Sequence, residues 1–547
     1  MFGPITPPPL FRGIWRDDLP ARSVYAEAAG IHQIMPTAIA VPTDAGDVSA
    51  LVHWAGEHRI ALTPRGSGSS MAGAAVGPGV IVDLSRLRTI GPIDVSTRTI
   101  LVGPGAICAD VDAAAGRSGM RFPLDPSSAK FCTVGGMAAT NAAGGRTLRY
   151  GQMNAWVHGI ECVFADGSRA WVRRGAPLPQ VSPLTRLASI AASLREAEHR
   201  APTRHAGVRK ETSGYALSAW ATSDSLIDLL VGSEGTLALF TALELKLAPI
   251  PAENATVLAS FPSIDAAATA AAMAAGLNAT ACELLDQTFL QIARRGGPLP
   301  VPDDAEAVLL VELDAATGER LGELTRAISV AFGAAGALRV ETALDPARAA
   351  KLWHLRHAAS PILAAMSRAQ ISMQVVEDGA VPPACLPAYV RGLRALLAQH
   401  GFGGVLFGHA GDGHMHANAL VDTTKGGWQA RLERLFGDVV ELTASLGGTL
   451  AGEHGDGRLR AGALERMWPA DAVRRFKAVK EAFDPLGILN PGVKFQATGA
   501  PKLGAPIKYD TALESLPAAA RSALDAIQHD RAWNRSRLDL LEGDSKS

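Results

Sequence analysis

The sequence lacks the features that define several classes of protein. Its 547 residues include five cysteines, which are scattered and form no CxxC pair. This spacing argues against an iron–sulfur cluster, a structural zinc site and a disulfide scaffold within the chain. It fits a reducing compartment, so we expect a cytoplasmic protein, with the surface of the inner membrane as the alternative location.

Long apolar runs and an excess of one charge are also missing. The least polar run, about 266–282, is rich in alanine but contains Thr269, Gly276, Asn278 and Thr280. It predicts a helix of small packing residues, because a membrane span needs roughly 20 strongly apolar residues. The N-terminus shows no signal-peptide pattern. A formal net charge of −1 gives no reason to expect nucleic acid as a partner.

The sequence does contain a large apolar fraction, 48%, and a pattern of alternating strands and helices. This predicts an α+β protein with several domains, at ~100–200 residues per domain. Thr43 is expected to cap a helix over 44–58. Proline-flanked residues near 248–253 indicate a boundary. The expected units are an irregular, proline-rich N-terminal arm (1–34), a first domain (35–250), a second domain (251–500) and a tail (501–547).

Three glycine-rich loops lie in the first domain: PRGSGSSMAGAAVG (64–77), TVGGMAATNAAGG (133–145) and VGSEGTL (231–237). Loops of this composition expose backbone N–H groups and admit a flat or polyanionic ligand. The first is not a Rossmann fingerprint, because no suitable GxGxxG opens a helix there. Each loop alone can be an ordinary turn. Three of them in one region predict a binding site.

Two further glycine-rich segments carry histidines and a carboxylate: GHAGDGHMHANAL (408–420) and GEHGDG (452–457). If residues 414–420 form a strand, His414, His416 and Asn418 share one face. Histidine and carboxylate ligands between glycines suit a divalent metal with an open position for substrate. The alternative is a set of histidines satisfied by hydrogen bonds alone.

The glycine-rich loops resemble the FAD-binding domain of the vanillyl-alcohol oxidase (PCMH) type. LWHLR (352–356), VVEDGAVP (375–382), GHAGDGHMH, GEHGDG and LNPGVK (489–494) resemble its D-2-hydroxyacid dehydrogenase branch. That branch includes flavin-type D-lactate dehydrogenases, the flavin subunit of glycolate oxidase and D-2-hydroxyglutarate dehydrogenase. The resemblance implies a two-subdomain FAD-binding domain followed by an FAD-linked oxidase C-terminal cap domain, whose antiparallel sheet is covered by helices.

The resemblance also implies the cofactor contacts. The FAD pyrophosphate is expected on 65–70 and 133–141, with the flavin ring facing the cap domain. The first loop has no histidine or cysteine, so non-covalent FAD is expected. The implied cofactor-binding residues are Arg65, Gly66, Ser67, Gly68, Ser69, Ser70, Pro126, Thr133, Gly135, Gly136, Thr140, Asn141, Gly144, Tyr150, Gly151, Glu234, Thr236 and Asn490.

For the metal, with zinc as the first expectation, the resemblance implies His409, His416 and Glu453 as ligands. His414 replaces an asparagine of other members and is expected to orient the ligands rather than join them. His454 is the expected general base, because a histidine of pKa near ~6.5 can accept a hydroxyl proton at neutral pH.

Two residues are expected to contact the substrate. Arg356 matches a carboxylate bidentately, and its alternative is a surface salt bridge. Asn418 is the second. Some members carry a lysine near Val376, and its absence weakens selection for a second, distal carboxylate. This puts D-2-hydroxyglutarate in doubt as the substrate.

The implied activity is the oxidation of a D-2-hydroxy acid to its 2-oxo acid, with electrons leaving to an iron–sulfur protein, cytochrome or quinone. The alternatives are a sugar or lactone oxidase and a non-catalytic flavin subunit. The tail has one helical pattern and Trp533, and it either packs on the body or docks an electron-accepting partner. A homodimer is among the open oligomeric states.

Overall fold

The computed structural model of the protein describes residues 6–357, 362, 370–530 and 532–541, and these form two successive α+β regions. The strands of the first region are β1 (Ile14–Arg16), β2 (Ala38–Val41), β3 (Leu62–Arg65), β4 (Val80–Asp83), β5 (Ile90–Asp94), β6 (Thr99–Val102), β7 (Met120–Arg121), β8 (Val157–Val163), β9 (Arg169–Arg173), β10 (Leu239–Lys246) and β11 (Ala248–Pro249). Its helices are α1 (Leu19–Tyr25), α2 (Ala45–His58), α3 (Cys108–Gly116), α4 (Val134–Thr140), α5 (Thr147–Tyr150), α6 (Ser182–Arg200), α7 (Leu217–Ser223) and α8 (Leu226–Leu230).

Two sheets divide the first region into two subdomains. One has the order β1-β2-β4-β3, in which β2, β4 and β3 run parallel and β1 is antiparallel to β2. The other is antiparallel, with the order β5-β6-β10-β8-β9. The first glycine-rich loop leaves β3 directly, and the second surrounds α4. The arrangement confirms the two-subdomain FAD-binding architecture.

The second region is built on one large sheet. Its elements are β12 (Glu253–Phe261), α9 (Ile264–Gly276), β13 (Ala281–Asp286), α10 (Gln287–Ala293), β14 (Ala307–Ala315), α11 (Gly318–Ala334), β15 (Arg339–Ala343), α12 (Pro346–His357), β16 (Ile371–Met373), β17 (Gly379–Ala380), α13 (Leu386–Gln399), β18 (Gly403–His409), β19 (His414–Val421), α14 (Trp428–Ser445), α15 (Leu464–Met467), α16 (Ala470–Phe483) and α17 (Ala518–Asp530). The sheet is antiparallel, in the order β15-β12-β14-β13-β18-β19-β16, and β17 also pairs with β19.

Helices cover this sheet on both faces. Helices α9, α11 and α13 pack on one face and α10 and α12 on the other. The central strand β14 is therefore buried along eight of its nine residues, which explains its nearly continuous apolar sequence, AVLLVELDA. The helix-covered antiparallel cap domain is confirmed.

The prediction of an irregular N-terminal arm was wrong. Residues 14–16 pair with β2, and α1 follows with Asp18 as its N-cap. The cap of α2 was also wrong, because Asp44, rather than Thr43, accepts a hydrogen bond from the N–H of Asp47. Strand β1 has only three residues, so its own sequence carries little periodic signal.

The tail packs on the first region. Helix α17 contacts α1 through a small apolar cluster that includes Ala520, Ala523 and Leu538. Trp533 is half-buried beside the buried Arg537, whose guanidinium carbon lies 4.8 Å from the centre of the Trp533 ring. Within the described residues, every helix is too short or too polar to cross a membrane.

Candidate active site

A cavity of about 1290 Å³ extends between the first region and the cap domain. It is larger than the ~300–1,000 Å³ of common ligand pockets, so it has room for a dinucleotide and a small substrate. The sequence-predicted residues that line it are Arg65, Gly66, Ser67, Gly68, Ser69, Ser70, Pro126, Thr133, Gly135, Gly136, Thr140, Gly144, Glu234, Arg356, His409, His416, Asn418, Glu453 and His454.

The loop 66–71, hereafter the phosphate loop, is held through three of its carbonyl groups. The carbonyl of Ser67 accepts from Arg537, that of Gly68 from Ala29 N–H and that of Ser70 from Gly30 N–H. In a trans peptide the carbonyl and the next N–H point in opposite directions. The N–H groups of residues 68, 69 and 71 therefore face away from these partners, and none donates a hydrogen bond within the described part of the chain. Such free donors fit the diphosphate of FAD.

The second glycine-rich loop (133–145) also brings its backbone close to the cavity. Thr133 caps α4 by accepting from Gly136 N–H. The position of a Cβ on Gly66 would be 2.1 Å from Oγ1 of Thr133, so only glycine permits this contact between the loops. Gly136 itself is exposed to the cavity. These glycines leave a narrow, main-chain-lined slot that suits a flat dinucleotide.

Five sequence-predicted cofactor residues support the cavity wall instead of lining it. The side chain of Asn141 accepts from Asn154 N–H, and Tyr150 donates to Asp314. The hydroxyls of Thr236 and Tyr215 lie 2.7 Å apart. The remaining two are Gly151, which ends α5 with φ 68°, and Asn490, which donates to the carbonyls of Ala74 and Glu234.

Two other predicted cofactor residues line the cavity, but their side chains form hydrogen bonds and an ion pair with other parts of the protein. Glu234 accepts from the N–H groups of Asp456 and Gly457 and pairs with Lys494 at 3.1 Å. It therefore ties its loop to GEHGDG. The guanidinium of Arg65 donates to three carbonyls, those of Tyr25, Glu27 and Ala75.

The three predicted metal ligands converge at the cap-domain end of the cavity. Oε1 of Glu453 lies 3.3 Å from Nε2 of His409 and 3.5 Å from Nε2 of His416. His409 ends β18 and His416 lies on β19, while Glu453 comes from the loop after α14. All three are buried. Two imidazoles and a carboxylate that share one point fit a divalent metal and leave coordination positions open.

Outer partners orient both imidazoles toward that point. Nδ1 of His409 bonds Glu283, and Nδ1 of His416 lies 2.8 Å from the carbonyl oxygen of Glu377. Metal-binding histidines commonly have such partners on the second ring nitrogen. His414 lies in the same group, with Nε2 3.0 Å from Asp378 and a buried Nδ1 that has no hydrogen-bond partner among the residues that the structure describes.

Sequence reasoning missed much of this outer layer. Lys210 is fully buried, and its Nζ lies 3.0 Å from Oε2 of Glu453. Glu283 lies in the buried strand β13, and its carboxylate also accepts from Nε of Arg356 at 2.8 Å. In the apolar strand sequence ACELLD, the charged residue Glu283 indicates a buried partner, and this signal was visible in the sequence.

The buried groups around the three predicted ligands carry an excess of negative charge when the histidines are neutral, as metal binding requires. They include five buried carboxylates and three permanent cations, a balance of −2. The carboxylates are Glu283, Glu377, Asp378, Asp412 and Glu453, and the cations are Lys210, Arg356 and Arg460. A divalent metal ion would neutralise this excess, which is a second reason that the donor set fits one.

The pKa values of the histidines reflect this charge. Burial lowers the pKa of His454, but the charges of Glu377 and Asp378 outweigh burial and raise it to about 10. Burial likewise opposes the hydrogen bonds of His416 to Glu377 and Glu453, which raise its pKa to about 9. Burial prevails at His414, whose pKa falls to about 3.

The predicted catalytic residues lie around the metal ligands. His454 is 30% exposed, and its Nδ1 lies 2.8 Å from Oε2 of Glu377. Gly452 and Gly455 flank a loop, and this loop lets adjacent Glu453 and His454 face one site. The guanidinium of Arg356 lies 4.5 Å from the centre of the Phe407 ring. Asn418 lines the cavity from β19.

Sequence comparison identifies the family. The family described as FAD linked oxidases, C-terminal domain, matches residues 250–493, and the one described as FAD binding domain matches residues 36–173. Glycolate oxidase subunit GlcD of Bacillus subtilis is 32% identical over 486 residues, covering 88% of this chain and 93% of GlcD. This chain belongs to the FAD-linked oxidase family. The family predicted from the sequence is confirmed.

Two further relatives and one solved structure also resemble this FAD-linked oxidase. D-lactate dehydrogenase of Archaeoglobus fulgidus is 29% identical over 82% of this chain and 89% of its own length. D-2-hydroxyglutarate dehydrogenase of Pantoea ananatis is 27% identical over 90% of this chain but only 50% of its own length. The solved structure of 4-ethylphenol oxidase from Gulosibacter chungangensis superposes with a TM-score of 0.65, at 18% identity, over 88% of this chain and 94% of the other. That likeness shows the fold alone.

Proposed function

We propose that this FAD-linked oxidase uses FAD and a divalent metal ion to oxidise a D-2-hydroxy acid to its 2-oxo acid. The observation that supports it most is the shared cavity, in which free N–H groups of the phosphate loop, the group His409–His416–Glu453 and His454 all face one space. The names of the relatives, a glycolate oxidase subunit, D-lactate dehydrogenases and a D-2-hydroxyglutarate dehydrogenase, support the same substrate class.

The two bound groups would supply complementary chemistry. FAD would be held non-covalently by the phosphate loop and the α4 loop, and it would supply the hydride acceptor for carbon 2 of the substrate. A divalent ion, with zinc as the first choice, would be held by His409, His416 and Glu453, and it would supply the Lewis acid that lowers the pKa of the substrate hydroxyl. His414 is assigned an orienting role through its bond to Asp378.

His454 is proposed to take the hydroxyl proton. Glu377 and Asp378 orient its ring, through Nδ1 and the backbone N–H respectively, so that Nε2 is the nitrogen for proton transfer. When no metal ion is counted among the charges, a pKa of about 10 keeps His454 protonated at neutral pH. A divalent cation held by the neighbouring ligands would lower this pKa by repelling the imidazolium, so the role of His454 as a base is proposed to depend on the metal.

Arg356 is proposed to hold the substrate carboxylate. Its Nε is already engaged by Glu283, and Phe407 covers the guanidinium face, so the two terminal nitrogens are the donors assigned to the substrate. Asn418 is assigned a second contact. The chain has Val376 near the position where some members carry a lysine, and the missing cation favours small substrates of the D-lactate or glycolate kind over one with a distal carboxylate.

Electrons are proposed to leave for a separate iron–sulfur protein, cytochrome or quinone. The five cysteines are free and dispersed, and four of them are buried, so they offer no cluster ligand set of their own. The cytoplasm, or the face of the inner membrane, is the proposed location.

The test is a panel of D- and L-2-hydroxy acids with a dye acceptor, before and after chelation. We expect turnover of D-acids only, lost on chelation and restored by zinc or another divalent ion. Glu453→Gln is expected to lower kcat/KM on the order of 100-fold or more, since loss of an outer partner alone costs ~10–100-fold. His199→Asn, on the exposed face of α6, is the control.

Two results would contradict the proposal. Turnover of sugars or lactones that is insensitive to chelation would make the protein a sugar or lactone oxidase, which does not need the His409–His416–Glu453 group. A flavin-loaded, metal-loaded protein without turnover on any hydroxy acid would favour a non-catalytic flavin subunit.

A further inference from the structure

The C-terminal segment 501–541 lies outside both family matches, yet one of its residues contacts the phosphate loop. Arg537 donates from Nη2 to the carbonyl of Ser67, at 3.0 Å. Arg521 pairs with Glu27 at 2.8 Å, and Trp533 lines the cavity. Packing of the tail on the body does not by itself explain why a buried arginine contacts this loop.

The contact with Ser67 sets the direction of one peptide. Because Arg537 holds the Ser67 carbonyl, the N–H of Gly68 points the other way. The neighbouring carbonyls of Gly68 and Ser70 are held by the backbone of residues 29 and 30. Arg537 is thus the one side chain among the described residues in a set of three anchors that keep the loop donors facing outward.

The charge behind the loop is also unusual. Arg537 is 3% exposed, and among the described residues its Nε and Nη1 have no hydrogen-bond partner and no carboxylate lies within ion-pair distance of it. The ring of Trp533 lies over its guanidinium. The described ionisable groups around it are Arg65, Asp83 and Tyr25, all buried. Tyr25 donates to Asp83, so one carboxylate faces two guanidinium groups. The charge balance of these groups is positive, and a buried cation with so little negative charge beside it is costly unless an anion comes close.

We propose that Arg537 is a positioning residue for the diphosphate of FAD, and that the described residues of the C-terminal segment, 501–530 and 532–541, are part of the FAD site of this chain. It acts in two ways, by fixing the Ser67 peptide and by placing positive charge behind the loop. The inference rests on the proposed placement of the diphosphate on the phosphate loop.

The experiment is to strip FAD from the full-length protein and titrate it back, with the Kd read from flavin fluorescence. Arg537→Met is expected to raise the Kd about tenfold or more, because a hydrogen bond from a charged donor is lost next to a buried carbonyl. Arg537→Lys keeps the charge and is expected to raise it only a few-fold. Asp539→Asn, which changes only an exposed ion pair with Arg86, is the matched control.

A second readout separates positioning from plain stability. We expect the Tm of the FAD-free Arg537 variants to stay near that of the FAD-free wild type, while the rise in Tm on adding FAD shrinks. An unchanged Kd in both Arg537 variants would overturn the inference, and so would an equal weakening by Asp539→Asn. If Gly136→Leu also leaves the wild-type Kd unchanged, the placement of FAD itself has failed, and not only the role of Arg537.

Discussion

Gly136 is the residue at which the FAD site can be closed with the least damage to the protein. It lies in the first turn of α4 and is exposed to the cavity, and a Cβ there would meet only Oγ1 of Thr133, at 3.1 Å. Gly136→Leu is expected to fill the slot, so the purified protein should carry less than a tenth of the wild-type flavin per chain, measured by absorbance. Gly116→Leu, in the last turn of α3 with open space around it, is the control. Full flavin content in Gly136→Leu would contradict this placement.

The glycine-rich pattern points to the two segments that carry the polar side chains of the site. The family resemblance then implies His409, His416 and Glu453 as ligands, and the structure brings these three together. Lys210 and Glu283 could not be assigned, because the partner of each buried charge is distant in the chain. The Nζ of Lys210 pairs with a carboxylate 243 residues away. Such pairs depend on tertiary packing rather than local pattern.

At the scale of elements, alternation and turn residues indicate several of the strands. The segment LALFTALELKL (237–247) alternates apolar and other residues, and β10 occupies 239–246 within it. The hairpin of β8 and β9 turns at Asp166-Gly167, a pair typical of such turns, with Gly167 at φ 79°. The short strand β1 was missed because its stability comes from pairing with β2 and not from its own three residues.

The loop between α14 and α15 gives a prediction at this scale. A Cβ on Gly452 would lie 2.7 Å from Nε2 of His414, on the strand β19 beside the loop. Gly452→Ala should therefore push the two elements apart and separate Glu453 from the histidines. We expect metal affinity to fall at least tenfold while flavin content stays unchanged, measured by metal titration and absorbance. Gly437→Ala, inside α14 with nothing within 4 Å, is the control. Equal metal affinity in both variants would refute this reasoning.

At the scale of the whole molecule, a segment near the start of the chain and one near its end pack together beside the phosphate loop. Lys508 N–H donates to the Ile31 carbonyl, and Gln33 N–H donates to that of Pro506. Between them the buried His32 lies with Nε2 2.7 Å from the Leu503 carbonyl. The sequence could not predict this contact, because both segments are irregular and about 470 positions apart.

His32 should make the stability of this assembly depend on pH. Burial first, with smaller contributions from Arg458 and Lys508, lowers its pKa to about 4 despite the bond to Leu503. Protonation therefore favours the unfolded chain, whose histidine titrates near ~6.5. The stability that neutral His32 contributes is fully present above pH ~6.5 and falls as the pH drops toward 4, by about 2 kcal/mol at pH 5.

His32→Gln should lose this dependence, seen as a smaller shift of the urea midpoint between pH 7.5 and 5 than in wild type. The exposed His53→Gln should keep the full shift, and an equal shift in all three proteins would show that His32 is not the group responsible.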